Sequence, residues 1–213
     1  MRDASLRWSL IEVARRLHAL CLNQGTSGNL SVRVADGYLI TPSGLSYEML
    51  APADIVLMQA DGSPPLGTRR PSSEWRLHRD ILEAHAEVGA VIHVHPPFCT
   101  ALACVGREIP AFHYMVAVAG GNNIRCAPYA TFGTQALSDH VLEALTGRRA
   151  CLLANHGAVM LGDTLDQALA LAVEVETLAA QYCRALQIGT PHLLDEEEMA
   201  IVVEKFRGYG KQP

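Results

Sequence analysis

Apolar residues recur at threes and fours through Leu6, Leu10, Val13, Ala14, Leu17, Leu20 and Cys21, a spacing that predicts a helix over 6–22 ending at Asn23-Gln24-Gly25. The period then falls to two. Leu30, Val32 and Val34 alternate with Ser31 and Arg33, an Ala35-Asp36-Gly37 turn follows, and Tyr38-Leu39-Ile40-Thr41 completes a predicted β-hairpin. Asp54 to Met58 is a further short strand, broken by the turn chemistry of Asp61-Gly62-Ser63-Pro64-Pro65. Trp75 to Ala86 is amphipathic, with Ser72 and Ser73 placed where a helix N-cap belongs. Ala90 to His95 has the pattern of a buried strand, stopped by Pro96-Pro97.

The same rules predict a helix over 134–145 and a core strand over 151–155. Thr164-Leu165-Asp166-Gln167 matches a capping box and opens a long helix rich in alanine and leucine that runs to Leu186. A last short helix with an acidic start spans Asp195 to Phe206. No repeat, low-complexity tract or linker interrupts this series, so residues 1–213 are expected to form one α/β domain with a mixed sheet flanked by helices.

With 213 residues and 49% hydrophobic composition, one core suffices. Seventeen Lys and Arg against 22 Asp and Glu give a net charge of −5, which excludes a general polyanion binder and points away from nucleic acid and membrane surfaces. Any phosphate must therefore be held locally. The six cysteines form no CxxC pair and have the pattern of reduced thiols in a cytoplasmic protein. No segment approaches the roughly 18 apolar residues of a membrane span.

His93 and His95 stand two apart on a predicted strand, so their imidazoles share one face, with backbones about 6–7 Å apart. His156 closes the strand 151–155 just before Gly157, where a turn would let the ring face a cleft. Three neutral imidazoles with a carboxylate make a zinc site, although a His-x-His pair alone is a weak motif. His18, His78, His85, His140 and His192 fall in predicted helices or polar turns and are expected to be structural.

Gly25-Thr26-Ser27-Gly28-Asn29, Thr41-Pro42-Ser43-Gly44 and Ser72-Ser73 are small loops with hydroxyls and accessible N–H groups. Each by itself is an ordinary turn or cap. Three in a chain without a basic patch favour a phosphate cradle. Glu74 directly follows the serines; it can ligate a metal, abstract a proton, or merely offset the helix dipole by about 0.3–1 kcal/mol.

Together these segments resemble the class II aldolase/adducin family. The resemblance runs through Asn23-Gln24-Gly25-Thr26, Gly28-Asn29, Thr41-Pro42, Pro71-Ser72-Ser73-Glu74-Trp75-Arg76, His93-x-His95 and His156-Gly157. It continues in His113-Tyr114-Met115, Ala119-Gly120-Gly121-Asn122, the run Cys126 to Thr134, and the tail Glu204-Lys205-Phe206 with Tyr209-Gly210. It implies a largely antiparallel sheet and one Zn²⁺ per subunit held by Glu74, His93, His95 and His156, with Glu74 also serving as acid/base. Gly28, Asn29, Ser43, Gly44, Ser72 and Ser73 would hold the substrate phosphate, and Ser43 stands where a threonine is usual. Tyr114, Phe132 and Tyr209 would shape catalysis and aldehyde placement, in sites between neighbouring subunits of a homotetramer. The implied reaction is reversible cleavage of L-fuculose 1-phosphate, or a similar ketose 1-phosphate, to dihydroxyacetone phosphate and L-lactaldehyde. Two alternatives share the fold. One, a pentulose-phosphate 4-epimerase or related phosphosugar lyase or dehydratase, is disfavoured by the glutamate at 74 for the epimerase and by Ser72-Ser73-Glu74 with His113-Tyr114-Met115 for the others; the second, an adducin-head-like interaction domain, is disfavoured by the complete set of four ligands.

Overall fold

The helical period at the start of the chain becomes α1 (Ala4–Ala19), which buries Leu10, Ile11, Val13, Ala14 and Leu17. The computed structural model describes residues 3–59, 61–63 and 69–208. Seven strands follow: β1 (Asn29–Val34), β2 (Gly37–Ile40), β3 (Val56–Met58), β4 (Ala90–Val94), β5 (Cys126–Ala127), β6 (Ala150–Leu153) and β7 (Gly157–Gly162). They make one sheet in the order β3-β2-β1-β4-β7-β6-β5. Only the β5–β6 pair is parallel, so the expectation of a mixed, largely antiparallel sheet holds.

Side chains alternate across this sheet and create two cores. Leu30, Val32, Ile92 and Val94 pack on one face with α1, α3 (Pro97–Cys104) and α5 (Leu165–Ile188). Ile40, Val91, Val159 and Leu161 pack on the other with α2 (Trp75–Ala84) and α4 (Gln135–Ala144). The result is three layers, with α6 (Glu196–Gly208) beside a 3₁₀ segment, Tyr114–Ala119. None of the helices among the described residues is long and apolar enough to cross a membrane.

Several boundaries move from those the sequence suggests. Neither Ser72 nor Ser73 caps α2: the N-cap position is Glu74, whose side chain makes no capping bond. The reason is pairing. Ser72 N–H bonds the Thr41 carbonyl at 3.1 Å and Pro42 bridges Pro71, which keeps this segment extended alongside the end of β2. Ser72 Oγ instead accepts the Glu74 N–H at 3.2 Å, just ahead of the helix. The strand expected from Asp54 begins at Val56, because the Asp54 carboxylate accepts the Ala51 N–H at 3.0 Å and holds 52–54 in a 3₁₀ turn. β4 ends at Val94, one residue before His95. Neither α3 nor β7 was marked by periodicity, β7 being a short apolar run between two glycines.

Helix α2 is fastened to α4 by a buried polar clamp. Asp80 accepts from Ser138 Oγ at 2.6 Å and Gln135 Nε2 at 2.7 Å, and pairs with Arg79 at 2.7 Å. Removing that carboxylate strands a buried hydroxyl. Asp80→Ala is expected to lower stability by about 1–3 kcal/mol, measured as a shift in the urea midpoint. An unchanged midpoint would show that the clamp does not hold α2 in place.

Candidate active site

The register of the sheet assembles the site. Asn29 on β1 lies opposite His93 on β4, and His93 lies opposite Val159 on β7. Alternation sends Asn29, Ser31 and His93 to the α2 face, while Leu30 and Ile92 enter the opposite core. His95 follows β4 on the same parity. His156 arrives from the β6–β7 turn, where Asn155 adopts φ 55°. Gly157 permits the approach, since a Cβ there would lie 2.6 Å from His95 Cδ2 and 2.4 Å from the Val94 carbonyl.

The three histidines present ligand atoms within 4.8 Å of one another, and their ring centroids are 4.7 to 4.9 Å apart. His93 Nε2 is 2.9 Å from His95 Nε2 and 3.1 Å from Glu74 Oε2, and His156 Nε2 is 3.5 Å from Glu74 Oε1. Ligand atoms about 2.0–2.1 Å from a tetrahedral ion stand about 3.3 Å apart, so these spacings fit one metal ion. His93 Nδ1 lies 3.0 Å from the Ala158 carbonyl and donates to it, which turns Nε2 toward the site. His95 is fixed through its backbone N–H, which donates to Asn23 Oδ1 at 3.0 Å.

The electrostatics also call for a cation. Glu74 is 6% exposed, and its Oε1 is a buried oxygen without a hydrogen-bond partner. Burial pushes its pKa up, but His93, His156 and the Asn29 amide outweigh that and hold the carboxyl well below the usual range. Burial also opposes charge on His93, and the adjacent Glu74 carboxylate overrides it and raises the pKa. Burial, with the positive field of His93, lowers His156 to about 4 and, with those of His93 and His156, His95 to about 3. These two imidazoles are neutral donors at physiological pH. An orphaned carboxylate oxygen beside converging nitrogens is the donor set of a divalent metal.

Beside the histidines opens a cavity of about 330 Å³ lined by Gly28, Asn29, Ser43, Gly44, Ser72, Ser73, Glu74, His95, His156 and Phe132. Every residue expected from sequence to hold phosphate lines it. Gly28 is required there: its φ is +74°, and a Cβ would come 2.1 Å from Asn23 Nδ2. His93 is fully buried beneath the cavity. Two larger clefts, of about 800 and 630 Å³, run beside the 114–119 segment and α6 and carry none of these donors.

The aromatic candidates divide. Phe132 lines the cavity and is 63% exposed. Tyr114 does not line it; it stacks on His113 at 4.9 Å and Phe206 at 6.5 Å in the cleft with α6. Tyr209 lies outside the described residues. The Asn29 amide is already engaged, donating to Glu74 Oε2 at 2.9 Å and receiving His78 Nε2 at 2.5 Å. Sequence reasoning assigned no role in the site to His78, nor to Asn23, although Asn23 stands in one of the motifs that carry the resemblance. For His78 a signal existed, because four residues after Glu74 on a helix is the same face; for Asn23, 72 residues from its partner His95, none did.

Residues 9–183 match the family described as Class II Aldolase and Adducin N-terminal domain. The chain is 59% identical over 206 residues to the 5-methylthioribulose-1-phosphate/5-deoxyribulose-1-phosphate aldolase of Rhodospirillum rubrum, covering 97% of this chain and 93% of that one. It is 47% identical over 211 residues to the L-fuculose phosphate aldolase of Escherichia coli K12, covering 99% and 98%. A solved structure of an L-fuculose 1-phosphate aldolase matches with a TM-score of 0.93 at 40% identity, covering 97% of this chain and 98% of that one.

His93 is the donor with least access to water and contacts both His95 and Glu74. His93→Ala is therefore expected to lose bound metal outright, measured by elemental analysis of protein purified with zinc supplied. Retention of one equivalent would mean that the ligands are misassigned.

Proposed function

The chain belongs to the class II aldolase and adducin family, and from that premise we propose that it is a zinc-dependent aldolase that splits a ketose 1-phosphate into dihydroxyacetone phosphate and a short aldehyde. The observation that carries this reading is the ionised, orphaned Glu74 carboxylate among three imidazoles, opening onto a cavity of hydroxyls and small loops. An adducin-head-like binding domain has no need of such a set.

The residues divide the work. Ser43, Ser72 and Ser73, with the N–H groups of Gly28 and Gly44, hold the phosphate at the open end of the cavity. The Asn29 amide has two N–H donors; one stays on Glu74 Oε2 and the other joins them. His93, His95 and His156, with Glu74, hold the metal, for which zinc best suits an imidazole-rich set with one exchangeable position. When bound, the ion supplies positive charge where the electron pair of the broken bond collects on the ketone half. In cleavage Tyr114 relays the proton of the hydroxyl beyond the scissile bond to solvent, that bond opens to the aldehyde and leaves its electron pair on the ketone half, and Glu74, having taken up a proton from solvent, delivers it to the carbon left on the phosphate half. In synthesis Glu74 removes that proton and Tyr114 protonates the alkoxide oxygen that forms on the aldehyde. Tyr114 stands in a separate cleft of its own chain, which supports a homotetramer in which a neighbouring copy brings Tyr114 to the site.

The aldehyde half is the finer question. The relative at 59% identity is named for 5-methylthioribulose 1-phosphate and 5-deoxyribulose 1-phosphate, and the relative at 47% for L-fuculose phosphate. The first pair is our preferred assignment. The exposed Phe132 ring supports it, because an apolar wall suits a methyl or methylthio end without a terminal hydroxyl. L-Fuculose 1-phosphate, which the sequence pattern suggests, remains the second reading on the strength of its full-length match.

Cleavage of these three ketose 1-phosphates, read by coupled detection of dihydroxyacetone phosphate, is expected to give the highest kcat/KM for the 5-methylthio or 5-deoxy substrate. A preference for L-fuculose 1-phosphate would reverse the assignment, and no product from any of them would sink the aldolase. A chelator is expected to abolish turnover and Zn²⁺ to restore it, since among the described residues no lysine lines this cavity to form a Schiff base.

Glu74→Gln separates ligand from base. Zinc is expected to stay on the three histidines while turnover falls by about 10²–10⁴-fold, the usual loss of a general acid–base group. Exchange of the carbon-bound proton of dihydroxyacetone phosphate at the parent rate would exclude Glu74 as the base.

A further inference from the structure

His78 has no exposed surface, yet it is surrounded by polar partners rather than packed as an apolar filler. It lies one helical turn after Glu74 on α2, and beneath it β1 presents Asn29 and Ser31, two residues apart and so on one face. Its Nδ1 is 2.7 Å from Ser31 Oγ and its Nε2 is 2.5 Å from Asn29 Oδ1. Asn29 Nδ2 in turn lies 2.9 Å from Glu74 Oε2.

One arrangement of hydrogens satisfies this chain. An ionised carboxylate only accepts, so Asn29 presents its NH₂ to Glu74 and its carbonyl to His78. That carbonyl also only accepts, so the imidazole proton sits on Nε2. Complete burial keeps the ring neutral, with its pKa lowered to about 3, so Nδ1 carries a lone pair and the Ser31 hydroxyl donates to it. Three successive donors thus point toward Glu74, and such chains strengthen one another.

We infer that His78 is a positioning residue which, as the Nε2–H tautomer, locks the Asn29 amide against flipping and so keeps Glu74 Oε2 occupied and Oε1 as the oxygen left free to accept the substrate proton. The role of Glu74 as base comes from the aldolase reading, on which this inference rests. An apolar residue at 78 would leave the Asn29 carbonyl unpaired in the interior and let the amide rotate away from the carboxylate. A glutamine would retain a donor, because its amide nitrogen reaches the place of Nε2.

Two measurements test it. In metal-free protein with ¹⁵N-labelled histidine, long-range ¹H–¹⁵N correlations are expected to show His78 as the Nε2–H tautomer, its signal identified by its absence in His78→Gln. A neutral Nδ1–H tautomer or a charged ring would overturn the inference. In a chelator competition, His78→Leu is expected to bind zinc about 10–100-fold more weakly, the usual effect of losing a partner behind a ligand, while His78→Gln keeps the parent affinity. Leucine at parent affinity, or equal losses in both variants, would reduce His78 to a packing residue. If the parent binds zinc but cleaves no ketose 1-phosphate, the aldolase reading fails while the tautomer still decides the hydrogen-bond chain.

Discussion

Glu74 brings a negative charge into a place almost without water, and moving a carboxylate there costs several kcal/mol unless positive or donor groups surround it. The rest of the site is arranged around that need. His93 and His156 lie within 3.5 Å, the Asn29 amide donates to one oxygen, and the other oxygen is left without a hydrogen bond. A divalent ion completes the set. The carboxylate is thus the reason a cation is favoured here, and in the proposed reaction it is also the group that exchanges a proton.

Rigid elements make this arrangement possible. β1, β4 and β7 are adjacent and antiparallel at the centre of the sheet, so Asn29, His93 and His156 of the β6–β7 turn come from three neighbouring segments and converge. Helix α2 then lowers Glu74 and His78 onto that patch, and its position depends on the Asp80 clamp to α4 and on the extended 71–73 segment beside Thr41. The phosphate cradle draws on the same contacts, because Ser72 and Ser73 are the residues leading into α2. Metal donors and phosphate loops are therefore mechanically one unit.

The part of the cavity proposed to meet the aldehyde is built differently. Phe132 is largely exposed, and Tyr114 stands apart in its own chain. In the proposed reaction, a rigid site for the phosphate half and a looser aldehyde end suit relatives named for different ketose 1-phosphates. Exposed aromatic rings at 114, 129 and 132 also suit burial against another copy of the chain.

Much of this was legible in the sequence because it depends on local spacing. The period of α1, the alternation of β1, the Thr164 N-cap of α5 and the parity of His93 and His95 are properties of neighbouring residues, and the structure reproduces them, although the Gln167 side chain accepts from the Asp163 N–H rather than closing the capping box on Thr164. Boundaries failed where a distant segment intervened, as when pairing with Thr41 moved the start of α2 from the serines to Glu74. His78 shows the limit most clearly. Alone it is an unremarkable helical histidine, and only the packing of α2 on β1 places its ring between Ser31 and Asn29, 47 and 49 residues earlier. Sequence fixes which side chains an element offers to a face. Which face it meets, and hence which oxygen of Glu74 is occupied and which is free, is set by contacts between segments remote in the chain, because hydrogen bonds form only within about 3 Å.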